Sequence, residues 1–325
     1  MQRILVIRGG AIGDFVLTLP AIRLLREEYP DAHLEILGYK HIVALAEQRF
    51  YADATRSIEY GALASFFARG AELPDELADY FSRFELVVSY LFDPDGIFQQ
   101  NLDRSCVDYF IAANPKVVAG EHAAVQLAQA LGQHLNLRLS DPAAQLFPAQ
   151  GDRQFASHFL ANNSAPLIAL HPGSGSASKN WPLEQWVQLG TSLLDAGTAA
   201  SLLVVGGEAD HHQVATLKKV WRGRRVVFAE NVPLPELAAV LEQCALFLGH
   251  DSGISHIAAA VGTPCVLLFG PTEPTVWAPA HPHVQVLRSA SGVVADLPLD
   301  AVLGGAATLL ARYAPGDWSV ATPTN

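Results

Sequence analysis

Gly249-His250-Asp251-Ser252-Gly253-Ile254-Ser255-His256 joins an apolar strand to a helix through a turn of small and polar residues, and the fold follows from how that junction is read. Upstream, Cys244-Ala245-Leu246-Phe247-Leu248 shows no polar alternation and reads as a strand buried on both faces. Downstream, Ile257-Ala258-Ala259-Ala260-Val261 reads as a helix of small residues packed close to a sheet. At the junction, unpaired backbone N–H groups, a serine hydroxyl and the positive end of a helix dipole of about half an elementary charge point at one place, which suits a diphosphate. The competing reading is that Asp251 or Ser252 only caps the helix.

Three further loops are of the same kind. His171-Pro172-Gly173-Ser174-Gly175-Ser176-Ala177-Ser178-Lys179-Asn180-Trp181-Pro182 follows the apolar segment 167–170 and precedes a helix opening near Leu183. Its glycines and serines allow close backbone approach, and Lys179 supplies a mobile cation. It is not a Walker A loop, because Ser178 and Asn180 flank the lysine where Gly and Ser or Thr are needed. Gly206-Gly207-Glu208 closes the segment 200–205, and the Glu208 carboxylate suits two ribose hydroxyls; it reads equally as a first-turn helix acid. Gly270-Pro271-Thr272-Glu273-Pro274 closes the segment 264–269. Four loops after four strands, alternating with helices, line the carboxyl edge of one parallel sheet, where doubly wound folds bind ligands.

Composition sets bounds around this edge. The chain has 325 residues, 50% of them hydrophobic, which suffices for two domains with their own cores. A net charge of −11 argues against nucleic acid as the main partner. No apolar run is long enough to span a membrane and no signal peptide is indicated, so the expected location is the cytoplasm. The three cysteines, Cys106, Cys244 and Cys265, are scattered and read as reduced. The organisation changes over 140–166, giving expected domains at 1–155 and 156–325. In the first, 3–8 reads as a strand, Gly9-Gly10-Ala11-Ile12-Gly13-Asp14 as a tight turn and 15–29 as an amphipathic helix with Leu17, Ala21, Leu24 and Leu25 toward the core. Strands follow at 33–37 and 86–90, and 299–313 reads as a final helix.

The first turn lacks G-x-G-x-x-G spacing, and the second strand ends Leu37-Gly38-Tyr39-Lys40 without a ribose-binding acid, which disfavours a nicotinamide dehydrogenase. What the turn offers is Asp14, a carboxylate at the carboxyl end of the first strand: a general base, or a helix cap. Asp93-Pro94-Asp95 spells a metal-binding D-x-D, but Pro94 and Gly96 favour a turn. His211-His212 and His281-x-His283 lack a carboxylate or cysteine at ligand spacing. No metal site is therefore expected.

Several ordered motifs resemble glycosyltransferase family 9, the heptosyltransferase-like enzymes of lipopolysaccharide core assembly. They are Arg3-Ile4-Leu5-Val6-Ile7-Arg8 with Gly13-Asp14 and Leu19-Pro20-Ala21, His171-Pro172-Gly173 with Lys179-x-Trp181-Pro182, and Asp251-Ser252-Gly253-x-Ser255-His256 with Phe269-Gly270-Pro271-Thr272. The resemblance implies a GT-B architecture: two Rossmann-like, doubly wound parallel-sheet domains facing across a cleft, the second holding the donor, with a C-terminal helix crossing back to the first. It implies inverting, metal-independent transfer without a cofactor, from a nucleotide-sugar donor such as ADP-heptose to a glycan or glycolipid acceptor, at or near the inner membrane surface. On this resemblance Asp14 is the general base and Lys179 the phosphate-binding lysine. Glu208 is the ribose acid, Asp251, Ser252, Gly253 and His256 form the diphosphate loop, and Gly173, Ser174 and Val232 line the nucleotide pocket.

Charge departs from what an anionic acceptor would favour. Residues 1–150 hold 12 Lys and Arg against 19 Asp and Glu, and 151–325 hold 9 against 13, so the supposed acceptor half is the more acidic. Rival readings are a nucleotide-sugar epimerase or other GT-B enzyme, a non-catalytic sugar-nucleotide binding module, and a hydrolase using Ser252 with His256. The last lacks G-x-S-x-G spacing.

Overall fold

The computed structural model describes residues 2–105, 107–163 and 165–313; Cys106, Ser164 of the expected linker and the chain beyond 313 lie outside them. Two compact units, Met1–Pro142 and Ala143–Asn325, make up the chain.

In the first unit β1 (Arg3–Arg8), α1 (Ile12–Glu28), β2 (His33–Gly38), α2 (Lys40–Val43), β3 (Ala54–Ser57) and α3 (Asp75–Phe81) are followed by β4 (Leu86–Ser89), α4 (Ile97–Asp103), β5 (Tyr109–Ala112) and α5 (Ala123–Leu135). The strands pair in parallel in the order β3-β2-β1-β4-β5. The second unit opens with α6 (Gln150–Phe159), β6 (Leu167–Leu170), α7 (Leu183–Asp195), β7 (Ser201–Gly206), α8 (His211–Val220) and β8 (Val226–Glu230). It continues with α9 (Leu234–Glu242), β9 (Leu246–His250), α10 (Gly253–Ala260), β10 (Cys265–Phe269), α11 (Pro274–Trp277), β11 (Val284–Arg288) and α12 (Leu299–Arg312). Its sheet, also parallel, runs β11-β10-β9-β6-β7-β8.

Both sheets reverse their strand order once, between β1 and β4 and between β6 and β9. Such a reversal is the place where doubly wound folds bind ligands, beyond the carboxyl ends of the two strands. Strands buried on both faces carry continuous apolar sequence: every residue of β6, β7, β9 and β10 is buried. One core gathers Leu170, Leu189, Leu202 and Leu248 around Trp181 and Trp186, and the other gathers Leu5, Ile7 and Val87 around Phe66, Phe81 and Phe98.

Several expectations shift. Helix α1 buries Phe15 through Ile22 without a break, so it is not amphipathic, and Leu24 is only half-buried; the helix packs along α5. The division falls after Pro142 rather than at 155, because α6 packs along α9, where Arg153 Nε and Glu242 Oε2 stand 2.8 Å apart. The last helix, expected to cross back, packs on α7, β9, β10 and β11 of its own unit and gives that core Val302, Ala306 and Leu309. As Pro94 and Gly96 favour, Asp93-Pro94-Asp95-Gly96 is a turn, with Gly96 at φ +64° and the Asp93 carboxylate accepting from the Gln99 N–H at 3.0 Å.

Candidate active site

The loop after β6 and the start of α10 meet at the switch point of the second unit. Ser252 caps α10 by accepting from the Ser255 N–H, and Gly253 opens the helix. Lys179 Nζ donates to Asp251 Oδ2 at 2.6 Å, and Thr272 Oγ1 donates to the same oxygen at 2.7 Å. The Asp251 carboxylate is thus committed to holding the lysine, and what the loop can offer an anion is backbone N–H, the Ser252 hydroxyl and the ammonium group. The Asp251 side chain is 10% exposed and the Lys179 side chain 27%, so the cation is the more reachable member of the pair.

Beneath this pair lies a buried polar layer. His171 Nε2 stands 3.3 Å from Asp210 Oδ2 and His171 Nδ1 stands 3.3 Å from Ser252 Oγ. Burial alone would push the Asp210 carboxyl up, but hydrogen bonds from His171 and from the Gly207 N–H bring it below its ordinary value. A Cβ on Gly173 would stand 1.6 Å from Asp210 Oδ1, so only glycine lets the loop backbone lie against that carboxylate. His250 accepts from the Trp181 N–H at Nε2 (2.8 Å) and reaches the Gly173 carbonyl from Nδ1 (3.2 Å), tying both ends of the loop to β9. Desolvation pushes its pKa down to about 3, so it is neutral, with Nδ1 carrying the proton.

The remaining expected residues spread along the same edge. Ser174 Oγ stays within its loop, 2.6 Å from Asn180 Oδ1 and 2.8 Å from the Ser176 carbonyl. Glu208 is exposed in the short turn after β7, Val232 is half-buried after β8, and His256 is buried in the first turn of α10.

In the first unit, Asp14 occupies the third position of α1, after β1. Its Oδ2 accepts from the Ala11 N–H at 2.9 Å, and its Oδ1 lies 3.6 Å from Arg8 Nη2. The cap reading of Asp14 is therefore realised, yet its side chain remains 37% exposed. Gly10, at φ +98°, makes the turn, and a Cβ there would stand 2.8 Å from Asp14 Oδ2. Arg8 is 5% exposed, with its guanidinium carbon 5.8 Å from the Tyr90 ring centroid. Burial pushes the Arg8 pKa down, and Asp14 and Tyr90 oppose that.

Among the described residues, no group of three or more His, Cys, Asp or Glu is placed to hold a metal ion. His281 and His283 reach the carbonyls of Ala144 and Ala259. No described helix is long and apolar enough to cross a membrane. Sequence reading singles out neither His171, Asp210 and His250 nor Thr272 as site residues. The available signal is a histidine at the end of each of two apolar strands that open onto glycine- and serine-rich loops.

Comparison with known proteins gives the family and the fold. The model of glycosyltransferase family 9 (heptosyltransferase) matches residues 106–299. Lipopolysaccharide heptosyltransferase 3 of Escherichia coli is 23% identical over 305 residues, covering 82% of this chain and 83% of that protein. The structure of a glycosyl transferase family 9 protein from Veillonella parvula DSM 2008 superposes with a TM-score of 0.78 at 20% identity, covering 96% of this chain and 98% of the other. That of E. coli ADP-heptose lps heptosyltransferase II superposes with a TM-score of 0.76 at 18% identity, covering 96% and 99%. The chain belongs to glycosyltransferase family 9 and is a glycosyltransferase with the GT-B type of fold.

Proposed function

We propose that this chain is an inverting, metal-independent heptosyltransferase that moves the sugar of ADP-heptose onto a lipopolysaccharide core sugar or a related glycan. The observation that carries the reading is the convergence of Lys179, Ser252 and the N-terminus of α10 at the β6/β9 switch point, a cationic and hydroxyl-lined place for a departing diphosphate. The names of the relatives support the sugar and the acceptor class. Glu208 takes the ribose hydroxyls, and Gly173, Ser174 and Val232 border the nucleoside. Asp14 accepts the acceptor's hydroxyl proton as that oxygen attacks the anomeric carbon opposite the nucleotide, which inverts the centre. The leaving group's growing charge is met by Lys179 and the helix dipole, so the reaction needs no divalent ion. The free, buried thiols of Cys244 and Cys265 suit a cytoplasmic enzyme working at the inner membrane surface.

The test pairs a thermal-shift screen of nucleotide sugars with a transfer assay in EDTA. ADP-heptose at ~100 times its dissociation constant adds ~2.7 kcal/mol to native-state stability, and transfer proceeds in EDTA at nearly the untreated rate. An absolute requirement for magnesium or manganese would contradict metal independence, and release of free epimerised sugar without acceptor would favour an epimerase.

A further inference from the structure

Ser252 has one hydroxyl proton, and its surroundings decide where that proton points. The Ser255 N–H donates to Ser252 Oγ at 3.4 Å, while the Ser255 hydroxyl spends its own proton on the His250 carbonyl. Asp210 Oδ2 accepts from the Gly207 N–H at 2.9 Å and faces His171 Nε2 at 3.3 Å. A carboxylate only accepts, so the tautomer that serves Asp210 carries its proton on His171 Nε2, and in that tautomer Nδ1 is a bare acceptor. Ser252 Oγ is 3.3 Å from that Nδ1 and 3.1 Å from Ser255 Oγ, so its proton turns inward and is withheld from an anion at the start of α10.

We propose that Asp210 and His171 are positioning residues that couple nucleoside diphosphate binding to the uptake of one proton. The proton comes from solvent and adds to His171 Nδ1; the imidazolium donates to Ser252 Oγ and stays paired with Asp210, and the Ser252 hydroxyl proton swings out to a diphosphate oxygen. The inference rests on the diphosphate reading of this switch point.

The hydrogen bonds then close. Ser252 Oγ accepts from the Ser255 N–H and from His171 Nδ1, which uses both lone pairs, and its single proton is released to the ligand. The charged groups around His171 permit this. Asp210, on the turn after β7, supplies the countercharge; His250, at the end of β9, is neutral; Asp251 is paired with Lys179 across from it. A buried imidazolium without such a carboxylate would be costly, and with one it is a compensated pair. Serine, histidine and aspartate in this order also serve hydrolases, but here the serine is 9% exposed and caps a helix.

Linkage fixes the sign. Binding that takes up a proton is strongest at low pH and weakens as pH rises, by up to about tenfold per pH unit.

The experiment is calorimetry of ADP binding in buffers of different ionisation enthalpy, above about pH 7.5, where a terminal phosphate with pKa ~6 no longer titrates. The wild type should take up close to one proton per ADP in the pH window where its affinity falls. Asp210→Asn keeps an oxygen for both donors and removes only the charge; it should fold, lose the uptake and flatten the pH profile. Ser252→Ala should lose the uptake as well, whereas Lys179→Ala should bind more weakly and keep it. A wild type that binds ADP without proton uptake, or an Asp210→Asn variant with unchanged uptake, overturns the inference alone. A wild type that binds no ADP at any pH overturns the diphosphate reading and the inference with it. Should Asp210→Asn not fold, the wild-type proton count and Ser252→Ala decide.

Discussion

The switch points of the two units share a reversal of strand order and differ in what stands on them. After β1 the chain turns through Gly10 and presents Asp14, a half-exposed carboxylate braced by the Ala11 N–H and Arg8. After β6 and β9 it presents Lys179, Ser252 and a helix N-terminus over a buried layer of His171, Asp210 and His250. Topology chooses the place in both units; the side chains at the strand ends put a carboxylate on one and an ammonium group beside a helix N-terminus on the other. The bracing differs too. Asp14 is oriented by bonds to its own turn and the strand before it, whereas Lys179 is held by Asp251, which Thr272 braces from a further loop, so the second site depends on several loops of the sheet edge.

Asp14→Asn is the sharpest way to break the comparison, because the amide keeps the cap to Ala11 and removes the base. We expect transfer to fall by ~10²–10⁴ with donor affinity near wild type and Tm lowered only modestly by the loss of the Arg8 countercharge; a variant that transfers at the wild-type rate would reduce Asp14 to its cap. Next in size is Lys179→Ala. Loss of one charge-assisted hydrogen bond, ~1.5–3 kcal/mol, weakens ADP binding by roughly 10–150-fold. Removing the lysine also leaves Asp251 uncompensated, which acts in the same direction, so calorimetry showing unchanged affinity would take Lys179 out of the site. The smallest effect is expected at Gly10→Ala, where left-handed backbone costs ~1–2 kcal/mol and the new methyl presses on Asp14 Oδ2. Tm should drop by a few degrees and transfer should fall while ADP affinity holds. Loss of ADP affinity in this variant would show that the two sites are not separable.

Much of this is legible in sequence because glycine- and serine-rich loops after uninterrupted apolar strands are local signals, and they mark Asp14, Lys179, Ser252 and the four loops of the second unit. Strands β3, β8 and β11 escape such a reading: each is only half-buried along most of its length, and Ala54-Thr55-Arg56-Ser57 has no apolar run to reveal it. Helix α1 reads as amphipathic with Leu17, Ala21, Leu24 and Leu25 inward, but even its Thr18 is buried, with its hydroxyl donating to the Asp14 carbonyl at 2.7 Å. The His171, Asp210 and Ser252 layer joins three separate loops, and no spacing within any one of them announces it.

Hydrogen exchange with and without ADP tests the division of labour between the two switch points most directly. Backbone amides report which helix start receives the diphosphate, independently of turnover and of acceptor identity. The account predicts slowed exchange over 171–181 and 252–256 on adding ADP, with 9–15 unchanged. Protection at 9–15 with none over 171–181 and 252–256 would contradict it.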